Sequence, residues 1–263
     1  MSAEWVSVHV YAHADLDVQV VPLAGLLSSV ANSVDARAWF FLRYWDGGPH
    51  VRLRLLCESE RARLAAHDLL RGGIADWRRN NPGPGALSSG EYQRTVAWVL
   101  RREAPTRPPG PLRADRSHHL EPFSGAWSPG GPRPDSRPEA LRFLSGSSGV
   151  ALAALRGADW SARFRHAVDV LRVLAGSFDD AERTLGDWAR RLADDRIGEV
   201  EERCAARRRS AAGWGEPDRT AAAVAHLCLG TGAGKLQAWH THCNRLGLNL
   251  LEESAAATLA VMP

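Results

Sequence analysis

Two short stretches hold side chains whose types and spacing can do chemistry. In His50-Val51-Arg52-Leu53-Arg54-Leu55 apolar residues alternate strictly with basic ones. On a strand, His50, Arg52 and Arg54 therefore leave by one face and Val51, Leu53 and Leu55 by the other. A half-buried strand ordinarily turns its polar side to water, so a solvated sheet face is the plain reading. If that face is covered instead, two adjacent guanidiniums need anionic partners, because an unpaired buried charge is prohibitive. A substrate carboxylate is one such partner, since the planar fork takes it bidentately.

The second stretch is Trp239-His240-Thr241-His242-Cys243-Asn244-Arg245-Leu246-Gly247. Two residues apart on a helix, His240 and His242 point in different directions, which argues against joint metal ligation. His240 and Asn244 share a face, with Arg245 close to it. An imidazole beside an amide and a guanidinium suits proton transfer on an anionic substrate, set against the plainer role of a structural helix histidine.

The elements that position these residues are legible in outline. Glu4 to Tyr11 alternates Trp5, Ser7, His9 and Tyr11 with Val6, Val8 and Val10, a strand pattern. Val20 to Val34 has helical spacing in Leu23, Leu26, Leu27 and Val30, and Ala38 to Arg43 reads as a second strand. Gly47-Gly48-Pro49 turns the chain into the His50 strand, and Glu58 to Trp77 reads as an amphipathic helix ending near Arg71-Gly72-Gly73 or shortly after. This β-α-β-β-α opening predicts an α+β fold with an antiparallel or mixed N-terminal sheet and flanking helices. From Asn80 to Pro138, Pro, Gly, Ser and Arg dominate and predict long surface loops, with only Tyr92 to Arg102 apolar enough for a strand. Leu141 and Leu144, Phe164 to Leu174, Ala181 to Leu192, Thr220 to Leu229 and Leu236 to Leu246 carry helical periodicity. The expectation is a single domain: an α/β half over 1–104, a loop region over 105–138 and a largely helical half over 139–263.

Composition narrows the function classes. The 263 residues are 44% hydrophobic and 24% charged, which is ordinary globular material. The net charge is only +3 and arginine supplies nearly all the basic residues, Lys235 being the single lysine. Arg101-Arg102, Arg190-Arg191 and Arg207-Arg208-Arg209 are interspersed with acids and read as solvated helix faces, so no direct nucleic-acid contact is expected. Cys57, Cys204, Cys228 and Cys243 form no paired motif, which predicts reduced thiols and no zinc knuckle. Met1 to Val10 has no basic segment leading a long apolar run, and no later run suits a bilayer, so the expectation is a cytoplasmic chain with no membrane contact. Ten tryptophans, among them Trp39, Trp45, Trp98, Trp127 and Trp239, could stack on a peptide but are more simply core.

Three segments together resemble a known family. Phe40-Phe41-Leu42-Arg43-Tyr44-Trp45-Asp46, followed by His50-Val51-Arg52-Leu53-Arg54, resembles the opening signature of the lantibiotic dehydratase C-terminal domain, also called the thiopeptide-type bacteriocin biosynthesis domain. His240 to Gly247 resembles its closing motif, with Thr241 replacing the usual methionine, and Ala140 to Leu152 is similar to its middle stretch. The family's Glu-x-x-Arg-Tyr segment has its nearest counterpart in Leu120-Glu121-Pro122-Phe123-Ser124-Gly125, where Glu121 is kept and the arginine and tyrosine are missing.

The resemblance implies maturation of a ribosomally made peptide. A partner protein dependent on glutamyl-tRNA would glutamylate Ser or Thr of a precursor, and this domain would eliminate glutamate to leave a dehydroamino acid. On that footing His240, Arg52 and Arg54 are the catalytic set, and Arg43, Tyr44, His50, Glu121, Asn244 and Arg245 bind or orient substrate. No cofactor and no metal is implied. A homologous pyridine synthase, joining two dehydroalanines by a formal aza-cycloaddition with loss of water and leader peptide, is the first alternative. A non-catalytic subunit that binds the precursor peptide is the second.

Overall fold

The computed structural model describes residues 4–13, 16–81, 87–103, 108–121, 123, 137–211, 214–230 and 234–261. The chain falls into two compact units, Met1–Leu152 and Ala153–Pro263, and the division lies within one helix. The α+β class and the helical C-terminal part are both present.

The first unit is built on a four-stranded antiparallel sheet of order β2-β3-β1-β4, with β1 at Glu4–Tyr11, β2 at Ala38–Tyr44, β3 at His50–Cys57 and β4 at His118–Leu120. Register decides which side chains share a face. Val8 lies opposite Leu53 and Leu53 opposite Phe41, and all three are buried. Helices α1 (Leu16–Ser33) and α2 (Glu60–Asn80) pack against the strands, and their Val20, Leu23, Leu27, Leu70 and Ile74 are buried as well. The opposite face carries Trp5, Ser7, His9 and Tyr11 of β1, Arg54, Arg52 and His50 of β3, and Phe40, Leu42 and Tyr44 of β2. Helix α4 (Pro138–Gly157) covers one end of that face, where Leu141 and Leu144 join Ala38, Phe40, Leu42 and Leu56 in a buried cluster. Ser145 Oγ accepts from Trp39 N at 3.0 Å.

Several elements differ from the sequence expectation. Tyr92 to Arg102 is not a strand but part of α3, Ser89–Glu103. Its apolar residues Tyr92, Val96 and Leu100 recur every four positions and form one buried stripe, which is helical spacing. Ser88 and Glu91 start the helix: Glu91 N donates to Ser88 Oγ at 3.3 Å while Ser88 N donates to Glu91 Oε2 at 3.0 Å. The expected loop region also supplies β4, which pairs with the free edge of β1. Helix α2 does not stop at Gly72-Gly73 but runs to Asn80, with Ile74 and Trp77 buried beyond the pair. A Cβ on Gly73 would come within 3.0 Å of Leu26 Cγ, so the glycine lets α1 and α2 approach. Helix α1 begins at Leu16, ahead of Val20, with Pro22 inside it. Trp127 and most of the Ser128 to Pro138 stretch lie outside the described residues.

The second unit comprises α5 (Trp160–Ala175), α6 (Ala181–Ala193), a 3₁₀ turn at Asp194–Arg196, α7 (Ile197–Ala211), α8 (Arg219–Gly230), α9 (Lys235–Leu246) and α10 (Leu250–Ala260). Helix α10 is its centre, packing on α5, α6 and α7, and its residues are buried nearly all round. Trp239 is core, with Nε1 donating to Ala167 O at 3.0 Å, and all four cysteines of the chain are buried and outside any disulfide. Helices α7 and α10 were not anticipated. Among the described residues no helix is long and apolar enough to cross a membrane.

The turn between β2 and β3 is held by groups far away in sequence. Gly47 and Gly48 adopt φ of 85° and 108°, a region that favours glycine. Gly47 N donates to the Tyr92 hydroxyl at 2.8 Å, that hydroxyl donates to Gly110 O at 2.7 Å, and Gly110 N donates to Asp46 at 2.7 Å. Tyr92 is wholly buried, so Tyr92→Phe leaves the Gly47 amide without its acceptor at little change in volume. We expect Tyr92→Phe to lower stability by about 1–3 kcal/mol, read as a fall in urea midpoint at unchanged m-value; an unchanged midpoint would show that this tether contributes nothing.

Candidate active site

Strand β3 places Arg52 and Arg54 on the face that α4 partly covers, and the environment of each guanidinium is defined. Arg52 Cζ stands 3.5 Å from the centroid of the Tyr44 ring, and Arg52 Nε donates to His50 Nε2 at 3.1 Å. His50 is fully buried, and its Nδ1 lies 2.8 Å from Gly48 O. Since that carbonyl can only accept, the proton sits on Nδ1 and Nε2 is free to accept from Arg52. Burial, reinforced by the Arg52 charge, holds His50 well below the usual histidine range and therefore neutral. Tyr44 and His50 thus serve Arg52: one supplies the π-face and the other the acceptor.

Arg54 is deeper, at 5% exposure. Its Cζ lies 3.9 Å from the Phe123 ring and 5.4 Å from that of Phe40. Nε and Nη1 have no hydrogen-bond partner among the described residues. Burial and then the neighbouring Arg52 charge push its pKa down to about 9, still cationic at neutral pH. Two guanidiniums on adjacent positions of one face, the inner one with idle donors, form an anion-seeking cluster.

His9, His119 and Glu121 border this cluster. His9 faces His119 across the β1–β4 pair, and Glu121 Oε2 lies 3.2 Å from His9 Nδ1 and 3.3 Å from His119 Nε2. Their ligand atoms fall within 4.8 Å of one another, the one group among the described residues with metal-ligand proximity. The half-exposed carboxylate bridges His9 Nδ1 and His119 Nε2, while buried His9 Nε2 has no hydrogen-bond partner among the described residues, and the charges of Arg52 and Arg54 bear on His9. Two guanidiniums disfavour a divalent cation there, so the arrangement is better suited to fixing β4 and the rim of the cluster. Around the cluster the rings of His9 and His50 stack at 5.0 Å, and those of Tyr11 and His119 at 5.6 Å.

Arg43 is not brought to this group. It pairs with Val51, hence with the apolar side of the sheet, and its guanidinium bonds to Asp17 of α1. Alternation dictates this outcome, because Arg43 differs from Phe40 and Leu42 by an odd step.

In the helical unit His240 faces Glu253: Nδ1 lies 2.6 Å from Oε2, with side-chain exposures of 16% and 1%. The Trp188 ring approaches His240 in a T-shaped arrangement, 6.3 Å between centroids. Helix α9 ends at Gly247, whose φ of 86° allows Gly247 N to reach Asn244 O at 3.2 Å and Leu248 N to reach Cys243 O at 3.1 Å. Helix α10 then opens with a capping box, in which Asn249 Oδ1 accepts from Leu251 N and Glu252 N while Glu252 accepts from Asn249 N. These two caps set the relative phase of the helices that carry His240 and Glu253. Asn244 is half-buried on α9, whereas Arg245 is turned into the core beside Cys228, its pKa pushed down to about 9 by burial. Arg245, expected close to the face shared by His240 and Asn244, is instead packed inward. His242, also fully buried, meets His166 with their Nε2 atoms 3.1 Å apart, a separation at which one ring donates and the other accepts.

Sequence reasoning missed His9, His119, Phe123 and Glu253. His9 was visible in the β1 alternation, and register alone adds it to the Arg52 row. Glu253 left no local signal, because its helix is buried nearly all round and shows no amphipathic periodicity.

Comparison with known proteins places these features. Residues 5–98 match the family model described as lantibiotic biosynthesis dehydratase C-term. No curated protein matches. Among solved structures, the pyridine synthase TbtD from thiomuracin biosynthesis superposes with a TM-score of 0.71 at 18% identity, covering 98% of this chain and 96% of that one. TsrL gives 0.57 at 12% identity, covering 98% and 93%. The tRNA-dependent lantibiotic dehydratase MibB from Microbispora sp. 107891 gives 0.51 at 16% identity; 98% of this chain is covered but only 27% of that much longer one. At these identities the likeness is one of fold.

Burial holds His9, His50 and His242 each below the ordinary histidine value of 6.5. In the unfolded chain they protonate near 6.5, so on acidification the unfolded state takes up protons first. The stability contributed by these groups is fully present above pH 7 and declines as pH falls through 6.5 towards the folded values. Each contributes a slope of up to about 1.4 kcal/mol per pH unit. Urea unfolding between pH 7.5 and 5 is expected to show a loss steeper than one proton's worth, before carboxylates begin to titrate; a flat profile would contradict neutral buried imidazoles.

Proposed function

We propose that this protein eliminates glutamate from glutamylated Ser or Thr of a precursor peptide, leaving a dehydroamino acid. The observation that carries the reading is Arg54, a buried guanidinium whose Nε and Nη1 have no partner among the described residues, next to Arg52 on the same face. Keeping such a charge buried costs stability, and a carboxylate ligand offsets that cost. The family match over residues 5–98, which include both arginines, supports the same class of chemistry.

In the reaction the Cα–H bond of the modified residue breaks and its electron pair forms the Cα=Cβ bond. The Cβ–O bond breaks in turn, and its pair leaves with the glutamyl carboxylate. Arg52 and Arg54 hold the glutamyl carboxylates and stabilise the departing charge, while Tyr44 and His50 fix Arg52. His240 takes the α-proton and returns it to solvent. Asn244 orients this helix face. Glu121 shapes the rim through His9 and His119. Arg43 and Arg245 serve the fold through the contacts described above. The partners on this reading are the modified precursor peptide and a glutamyl-tRNA-dependent glutamylating protein, with no direct nucleic-acid contact and no membrane contact by this chain, which acts in the cytoplasm.

Pyridine formation from two dehydroalanines is the second reading, supported by the superposition on TbtD over nearly the full length of both chains. Mass spectrometry of a glutamylated precursor incubated with the protein separates the two. Release of glutamate with formation of dehydroalanine supports elimination. Inertness towards that substrate, with conversion of a linear dehydrated peptide to a macrocycle and free leader, overturns it. Arg54→Met is expected to cut glutamate release by about 100-fold or more. The same variant should keep or raise thermal stability, because it removes an uncompensated buried charge. His240→Gln is expected to accumulate glutamylated peptide. Undiminished elimination in either variant would remove that residue from the mechanism.

A further inference from the structure

His240 does not stand alone on α9. Glu253, in the first turn of α10, approaches its Nδ1 to 2.6 Å and is 1% exposed, which makes this the most enclosed carboxylate–imidazole contact among the described residues. Helix α10 is held where it is by more than the capping box: Ser254 Oγ, next in sequence to Glu253, donates to Ala189 O of α6 at 2.8 Å. Trp188, the neighbour of Ala189, packs against the imidazole with the two ring planes at 63°. The carboxylate therefore has little freedom to leave its partner. A buried carboxylate is costly unless it accepts hydrogen bonds, and the Nδ1 proton lies where it can supply one.

We propose that Glu253 is the positioning residue of His240. Its carboxylate accepts the Nδ1 proton, fixes the neutral ring as the Nδ1–H tautomer and holds the ring plane. Nε2 is then the nitrogen that takes up and gives back the reacting proton. When Nε2 takes that proton, the imidazolium forms against a buried negative charge and is stabilised by it, so Glu253 makes His240 a stronger base without touching substrate. The inference rests on the reading that His240 moves the proton in elimination, but the tautomer it specifies is a property of the protein alone.

Nitrogen-15 NMR of the full chain labelled at histidine tests it, with the His240 signals assigned by their loss in His240→Gln. In the neutral wild-type protein His240 is expected to show a protonated Nδ1 and an unprotonated Nε2. In Glu253→Gln its titration midpoint is expected to fall by about one pH unit or more. In the elimination assay the same variant should lose about 100-fold in kcat, with the acidic limb of the pH profile moving alongside the NMR midpoint. A neutral wild-type ring protonated at Nε2 overturns the proposal, and this measurement decides even if Glu253→Gln fails to fold. So does a folded Glu253→Gln whose midpoint is unmoved, or whose activity falls with no displacement of the limb, since that is the behaviour of a merely structural contact. If tautomer and midpoint behave as expected while the wild-type protein eliminates nothing, the positioning role stands and the elimination reading falls.

Discussion

Strand β3 cannot hide its leucines without also enclosing its arginines. Val51, Leu53 and Leu55 are each fully buried beneath α1 and α2, and their burial is the largest favourable contribution the strand makes. Because side chains alternate with a period of two, that demand sends Arg52 and Arg54 to the other face, and a one-residue slip would exchange the two sets entirely. The pairings of His9 with Arg52 and of Ser7 with Arg54 follow from the same register. Everything that α4, Phe123 and Tyr44 add is laid over an arrangement already set by where the aliphatic side chains must go.

The enclosed cations are then made tolerable in two different ways. Arg52 is compensated internally, by an aromatic face on one side and a neutral imidazole acceptor on the other. Arg54 has apolar rings about it and keeps two donors idle among the described residues. On the proposed reading this distribution suits binding, with one guanidinium held rigid and the other keeping its donors for an incoming carboxylate. Stability is forgone locally, and the cores under α1, α2 and α4 supply it elsewhere.

Much of this could be read from the residues. The alternation in β1 and β3 located the sheet and the basic face, and the opening and closing motifs located the arginines and His240. Partner identity could not be read, because it depends on register and helix phase, which are tertiary facts. Arg43 was expected to bind substrate beside Arg52 and Arg54, and the β2–β3 pairing assigns it to the other face, with Asp17. The α3 segment was misread as a strand because a window rich in Val, Tyr and Trp satisfies strand propensity, while its four-residue spacing and its Ser88–Glu91 cap specify a helix. Arg245 looked available beside His240 and is enclosed instead, since five residues along a helix carries a side chain well round the axis. Glu253 was invisible in a helix that is buried on every side.

The junction between α9 and α10 behaves as a ruler. Gly247 closes one helix and Asn249 opens the next, with only Leu248 between them, and both caps are tied to backbone groups at fixed offsets. Adding or deleting a single residue there would turn α10 by roughly 100° about its axis, swinging Glu253 away from the imidazole while leaving every helix intact. Within α10 the polar residues Glu252, Glu253 and Ser254 all lie in the first turns, next to this joint, so its length sets where each of them points. The length of this three-residue joint is the quantity natural selection has reason to hold constant.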